Sequence, residues 1–205
     1  MQREKRRAYL DWNYWAKPVP GFGDSQARVL VIGLAPGAHG ANRTGRMFTG
    51  DRSGDFLYRA MYETGFASQP ESRSRDDGLK LRDAYITASL RCAPPGNKPL
   101  PEELANCRPY LERELDLLKH VRVVVALGGI ALRSYLGILR DRGAIRSLAA
   151  FPFGHLREYH PAPGLPALIA SYHPSQQNTF TGKLTPSMLR EVFERAKRLA
   201  HSVDL

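Results

Sequence analysis

Four short runs of β-branched and aliphatic residues recur along the chain, and each predicts a β-strand. They lie at residues 28–33, 84–89, 121–127 and 167–171. The first and third runs are apolar almost without interruption, which is typical of strands buried on both faces of a parallel sheet. The pattern therefore predicts four parallel strands.

Apolar residues at helical spacing fill the segments between and after these runs. The patterns predict helices over residues 54–64, 101–119 and 188–200, and Ile130, Leu132 and Leu136 mark another. Pro101 followed by two glutamates suits a first helical turn, and Thr185 before Pro186 suits an N-cap. Strand and helix thus alternate four times.

This alternation is typical of an α/β protein. We expect one domain over residues 1–205, a three-layer α/β/α sandwich around a central four-stranded parallel sheet, with residues 1–24 as an N-terminal extension. Residues 143–166 fit a long connection or a small hairpin.

Long polar loops follow three of the four predicted strands. They cover residues 33–51, 91–99 and 172–179, and two glycines follow the remaining strand. In open parallel sheets the ligand binds at the carboxyl ends of the strands. We therefore expect these loops to converge on one binding edge.

The first loop is neither a P-loop nor a dinucleotide fingerprint, since it lacks the Gly-Lys-Ser/Thr ending and the GxGxxG spacing. No nucleotide cofactor is expected. Its glycines would let the backbone approach a ligand closely, although a merely flexible loop is the alternative.

The net charge of +10 and the pI near 9.9 favour a polyanionic partner such as nucleic acid, or else a basic surface without a partner. Glycine and proline make up about 16% of the chain, too little for a low-complexity protein. The sequence has neither an apolar run long enough to span a membrane nor a signal-peptide pattern, so a cytoplasmic protein is expected.

The loop GLAPGAHGANRTGRMFTGD at residues 33–51, followed by YHPSQQNT at 172–179, resembles the uracil-DNA glycosylase superfamily, and family 5 (the B-type, broad-specificity enzymes) most. Residues 15–24 and 91–99 extend the resemblance over nearly the whole chain. It implies a monomeric, monofunctional DNA glycosylase. Such an enzyme flips uracil and related deaminated bases out of double- or single-stranded DNA, cleaves the N-glycosidic bond and starts base excision repair.

The resemblance assigns three catalytic roles. Asp51 would position or polarise the attacking water, His173 would donate to the base carbonyl, and Asn97 would bind the base edge or hold the water. Each residue also has a structural explanation. Asp51 could be an N-cap, His173 a structural histidine and Asn97 an Asx-turn residue.

The same resemblance implies a pocket in which Phe48 stacks on the base, unless Phe48 is a core aromatic that anchors the loop. His39 could reach this pocket or pack within the loop. The expected base-binding residues are Gly33, Ala35, Gly37, His39, Phe48, Asn97 and His173.

The chain departs from the classical enzymes directly after the first strand. They have an acid there, whereas this sequence has Leu34 and Ala35. The small Ala35 permits a roomier pocket, so hypoxanthine and xanthine are expected substrates beside uracil.

The segment of residues 176–183 matches the loop that enters the minor groove beside the flipped base. A solvated surface loop would explain its polar residues equally well. The expected DNA-binding residues are Asn42, Arg43, Arg46, Ser175, Gln176, Gln177, Asn178 and Lys183.

Cys92 and Cys107 are too few for a disulfide scaffold and could be ordinary small buried residues. The resemblance makes them two of four thiolate ligands of a structural [4Fe–4S] cluster, whose other ligands form an upstream Cys-x-x-Cys that this chain lacks. Either that segment is missing from the chain or the cluster has been lost. We expect the first, and occupancy in this chain is in doubt.

Two other functions compete with the glycosylase hypothesis. A catalytically silent protein that binds damaged DNA would keep the basic groove and Phe48 without forming product. A nucleoside hydrolase would cleave deoxyuridine without DNA, and the charge of +10 counts against it.

Overall fold

The computed structural model of the protein describes residues 5 and 7–202 and contains a six-stranded sheet in the order β1-β3-β2-β4-β6-β5. The strands are β1 (Phe22–Gly23), β2 (Val29–Gly33), β3 (Ala84–Ala88), β4 (Val123–Leu127), β5 (Arg157–Tyr159) and β6 (Ala167–Ser171). The four central strands are parallel, whereas β1 and β5 pair antiparallel at the edges. The prediction of an α/β fold with four parallel strands is confirmed, and the full sheet is larger by these two edge strands.

The edge strands were missed because they are short and carry no apolar pattern. Strand β1 has two residues, and β5 has three, none of them buried. Residues 143–166, expected to form a long connection or a small hairpin, form a connection that contains β5, which pairs with the following strand β6.

Six α-helices accompany the sheet in the described part of the chain. They are α1 (Ala41–Thr44), α2 (Arg52–Glu63), α3 (Pro101–Leu117), α4 (Gly129–Asp141), α5 (Gln176–Phe180) and α6 (Pro186–His201). The two shortest, α1 and α5, lie inside loops and were not predicted. None of the described helices has both the length and the apolar character that a membrane span requires.

The central strands are buried on both faces because their alternate side chains enter two different cores. Val29 and Val31 pack in one core with the apolar faces of α2 and α6. Leu30 and Ile32 pack in the other with α3 and α4. This arrangement produces the three layers that the continuous apolar runs predicted.

Backbone pairing beyond the sheet brings the first two loops together. The amides of Ser89 and Leu90 donate to the carbonyls of Gly33 and Leu34, at 3.0 Å each. The two loops therefore leave the sheet side by side.

Candidate active site

A cavity of 660 Å³ opens at the carboxyl edge of the sheet. Residues from three loops line it, as the loop pattern predicted. The lining includes Gly37, His39, Phe48, Asp51, Asn97 and His173. The structure thus brings together the three predicted catalytic residues and most of the predicted base-binding residues.

Phe48 forms an aromatic wall of this cavity. Its ring lies 5.7 Å from the His173 ring, with 32° between the two planes, and its side chain packs in the core. A Cβ atom at Gly33 would lie 2.8 Å from the Phe48 ring, so only glycine fits at that position. Phe48 therefore anchors the loop and also presents a flat apolar surface to the cavity, which combines both interpretations of this residue.

Asp51 caps helix α2 and faces the cavity at the same time. One carboxylate oxygen accepts the backbone N–H of Gly54 at 3.0 Å. The other lies against Gly37 and Gly40, where added Cβ atoms would be 2.8 and 1.9 Å from it. Burial raises the pKa of Asp51, although backbone N–H groups and the Arg43 charge act in the opposite direction.

His173 lines the same cavity as Asp51. Burial lowers the pKa of His173 to about 4, so its imidazole is neutral at physiological pH. The amide of Asn178 on helix α5 donates to the His173 carbonyl at 2.8 Å and fixes the backbone there. Asn178, expected at the DNA, thus supports the cavity.

Asn97 is the exposed last residue of a 3₁₀ turn, Pro95–Asn97, on the second loop. Its φ of 57° is left-handed, a conformation that asparagine tolerates better than most residues. Lys98, which sequence reasoning did not select, follows it in the cavity lining.

The N-terminal extension contributes to the site through His39. The Tyr14 hydroxyl hydrogen-bonds to His39 Nδ1 at 3.0 Å, and the Tyr9 ring stacks 6.5 Å from the imidazole. No local pattern indicates these contacts, since Tyr14 and Tyr9 precede His39 by 25 and 30 residues.

The expectation that Arg46 binds DNA phosphate is wrong. Its side chain is 3% exposed, and two of its guanidinium nitrogens contact the two carboxylate oxygens of Asp77 at 2.8 Å. Ser72 and Thr49 complete this buried network. A partner 31 residues away in the sequence could not be recognised from the motif.

Arg43 and Asn42 also point inward rather than towards DNA. The Arg43 guanidinium lies about 4 Å from the ring centroids of Tyr9 and Trp12 and donates to the Gly50 carbonyl at 2.8 Å. Asn42 donates to the Ala38 carbonyl at 3.2 Å. Both residues are buried and shape the first loop.

The predicted DNA-binding residues of the last loop do lie at the surface. Ser175, Gln176 and Gln177 line the cavity, and both glutamines and Lys183 are exposed. Sequence reasoning missed Phe180, which closes helix α5 with 66% of its surface exposed and lies 5.0 Å from the Arg52 guanidinium. The sequence feature that could have identified Phe180 is its position as a lone aromatic residue within a polar segment.

A second cavity, of 690 Å³, adjoins the first and shares Asp51, His39 and Gln176 with it. Exposed Arg52 and Arg59 contribute positive charge to its lining. The surface beside the first cavity is therefore open and carries basic groups.

Cys92 and Cys107 are both free cysteines. Burial raises the pKa of the Cys92 thiol, and nearby Cys107 and Glu103 act in the same direction. In the part of the chain described, no three His, Cys, Asp or Glu side chains are grouped to hold a metal ion. Two thiols do not supply the four ligands of a [4Fe–4S] cluster, so the donor set of this chain does not fit that cofactor.

Comparison with known proteins adds an independent observation. The profile of the uracil DNA glycosylase superfamily matches residues 20–197. A type-5 uracil-DNA glycosylase of Thermus thermophilus is 56% identical over 96% of this chain and 86% of its own length. Proteins of the same description from Mycobacterium tuberculosis and Pyrobaculum aerophilum are each 50% identical, over 96% and 93% of this chain and 72% and 80% of their own lengths.

Proposed function

The chain belongs to the uracil DNA glycosylase superfamily, and on this premise we propose that it hydrolyses the N-glycosidic bond of uracil flipped out of DNA, the first step of base excision repair. One observation carries the proposal. A single cavity at the sheet edge holds a buried carboxylate, a neutral imidazole and an aromatic wall. These are the groups that glycosidic cleavage of a flipped base requires.

The base side of the cavity consists of Phe48 and His173. Uracil stacks on the Phe48 ring, and its leaving as an anion places negative charge on its carbonyl oxygens. With a pKa of about 4, His173 is neutral at physiological pH and keeps one ring N–H, which can donate a hydrogen bond to that charge. Donors that are already oriented stabilise developing charge most effectively.

The sugar side of the cavity consists of Asp51 and, from the second loop, Asn97. As the bond between C1′ and the base nitrogen breaks, positive charge grows on the sugar and the Asp51 carboxylate stabilises it. Water then bonds to C1′ and gives a proton to Asp51, while the bond electrons leave with the base. Asn97 orients the water or the base edge.

Hypoxanthine and xanthine are further proposed substrates. Leu34 and Ala35 stand in the lining of the 660 Å³ cavity where the classical enzymes have an acid. A purine needs more room than uracil, and neither side chain carries a charge that would select among base edges. Cleavage of uracil alone in parallel duplexes would contradict this substrate range.

The DNA strand is proposed to cross the cavity mouth over helix α5 and the second cavity. Gln176, Gln177 and Lys183 are exposed there, as are Arg52 and Arg59. Donors and cations of this kind contact phosphates and groove edges.

The testing experiment is single-turnover cleavage of a labelled duplex with one U opposite G. We expect alkali-sensitive breakage at the uracil, strongly reduced by His173→Ala and unchanged by His120→Ala at the far end of the sheet. A wild-type protein that binds this duplex but forms no product would instead be a silent binder. Cleavage of free deoxyuridine at a comparable rate would indicate a nucleoside hydrolase.

The proposed reaction stops at the abasic site. Lys98 is the lysine in the cavity lining whose amine a lyase would use to form an imine with C1′. Borohydride added during turnover should trap no covalent protein–DNA adduct. An adduct that disappears in Lys98→Gln would overturn the monofunctional assignment.

A further inference from the structure

The second loop is attached to helix α3 by two neighbouring connections. Arg91 and Cys92 are consecutive residues of the loop. Arg91 contacts the Glu114 carboxylate at 2.5 Å, and Cys92 lies near Cys107. Glu114 and Cys107 are both on α3 and are seven residues apart, which is two helical turns, so they lie on the same side of the helix.

The Arg91–Glu114 connection is buried and well bonded. The two side chains are 8% and 13% exposed. Glu114 also accepts the Thr87 hydroxyl at 2.5 Å and the Tyr85 hydroxyl at 3.3 Å, both from strand β3. A buried ion pair is stable only when further hydrogen bonds satisfy its charges, and this one meets that condition.

Arg91 is also bonded to the N-terminal segment through Val19. Its guanidinium donates to the Val19 carbonyl at 3.3 Å, and the Val19 amide donates to the Arg91 carbonyl at 2.7 Å. Arg91 therefore joins the loop directly to helix α3 and the extension, and through Glu114 to strand β3. These attachments fix the direction in which the loop leaves the sheet.

Five residues separate Arg91 from Asn97, and two of them, Pro94 and Pro95, have a fixed φ. Pro94 is buried. The intervening chain consequently has little freedom to absorb a shift at Arg91, and the shift would be passed on to Asn97 in the cavity.

We propose that the Arg91–Glu114 ion pair is a positioning element for Asn97, and that this pair, rather than a metal cluster, fixes the loop in this chain. The chain contains two cysteines, so the thiol connection lacks the ligands of a complete four-thiolate cluster. The Arg91–Glu114 ion pair, by contrast, needs no ligand beyond these two side chains and their hydrogen-bond partners. This inference rests on the proposed function for its catalytic part alone.

The test is a double-mutant cycle with Glu114→Gln and Asn97→Ala, measured as single-turnover rates on saturating uracil duplex. We expect Glu114→Gln to slow cleavage by roughly 10- to 100-fold, as misplaced groups do. In the Asn97→Ala background it should cause no further loss. An equal loss in both backgrounds would assign the pair a general structural role and overturn the proposal.

Two further variants keep the test decisive. Thr87→Val removes one hydrogen bond to the Glu114 carboxylate with little change in volume, and it replaces Glu114→Gln in the cycle if that variant does not fold. Thr87→Val should slow cleavage less than Glu114→Gln, and it should cause no further loss in the Asn97→Ala background. Cys92→Ser combined with Cys107→Ser should cleave at the wild-type rate. Loss of cleavage in that double variant would show that the thiols hold the loop.

Hydrogen exchange of residues 92–99 separates this inference from the proposed function. Glu114→Gln should speed exchange there, and the double cysteine variant should not. If the wild-type chain forms no product, the proposed function fails while this exchange result still tests the loop. Unchanged exchange in Glu114→Gln would overturn the proposal whatever the activity.

Discussion

Asp51 is the residue at which helix capping and the proposed chemistry meet. One of its oxygens holds the first turn of α2, and the other lies against the glycines of the first loop. The cap orients the carboxylate without occupying both oxygens. Asp51 can therefore be the N-cap of α2 and still present a carboxylate oxygen to the cavity, which are the two roles that its sequence context allows.

Asp51→Asn separates these two tasks. Asparagine caps helices as well as aspartate does, so the free energy of unfolding at pH 7 should not fall. It should rise slightly, because burial raises the pKa of Asp51 and the ionised form is disfavoured in the folded protein. The single-turnover rate should fall by roughly 10² or more. Glu63→Gln, a neutralised carboxylate at the other end of the same helix, is the control, and a matching loss there would refute the role of Asp51.

The pH dependence of the rate should reflect Asp51 and not His173. A raised pKa means that the Asp51 carboxylate is lost as pH falls through a range above the usual one for aspartate. His173 remains neutral until about pH 4. Single-turnover rates between pH 5 and 8 should therefore lack a step near 6.5, the ordinary histidine value. A rate that rises as pH falls through 6.5, and no longer does so in His173→Gln, would show that the imidazole acts in its protonated form.

Helix α5 is the element that extends from the cavity to the surface where we propose that DNA binds. Its first residues line the cavity, and its last, Phe180, has 66% of its surface exposed. Apolar side chains in such positions can enter the base stack and fill the space that a flipped base leaves. The helix combines polar contacts at one end with an apolar ring at the other.

Phe180→Ala should consequently slow cleavage in duplex DNA about tenfold and leave single-stranded DNA nearly unaffected, because a single strand has little stack to open. Parallel single-turnover assays on the two substrates measure the ratio. Tyr110→Ala, an exposed aromatic residue on α3, is the control. Equal losses on both substrates would mean that Phe180 does not act on the stack.

The central elements were predictable from the sequence and the smallest ones were not. Strands β2 and β4 have five buried residues each, so their apolar runs stand out. Strand β1 and helix α1 depend on tertiary contacts that no local pattern encodes. Motif resemblance located Asp51, Asn97 and His173, but it could not distinguish a cation that faces DNA from one that faces inward, as Arg46 does.

At the scale of the whole molecule, the net charge of +10 can contribute to DNA affinity only through cations that reach the solvent. Lys183→Gln should lower the slope of log affinity against log salt concentration by about 1, since one phosphate contact is lost. Arg46→Gln should leave that slope unchanged and reduce the free energy of unfolding by roughly 1.5–3 kcal/mol, because the part-buried Asp77 loses its charged partner but keeps three backbone N–H donors. Fluorescence anisotropy at several salt concentrations and urea unfolding measure the two effects. A smaller salt slope in Arg46→Gln would return that arginine to the DNA interface.

The gap between Gly33 and the Phe48 ring has a practical consequence. A methyl group at position 33 would meet the ring at 2.8 Å, and the ring both packs in the core and lines the cavity. We therefore expect Gly33→Ala to shift the ring into the space proposed for the base. The variant should lose cleavage while it still binds DNA.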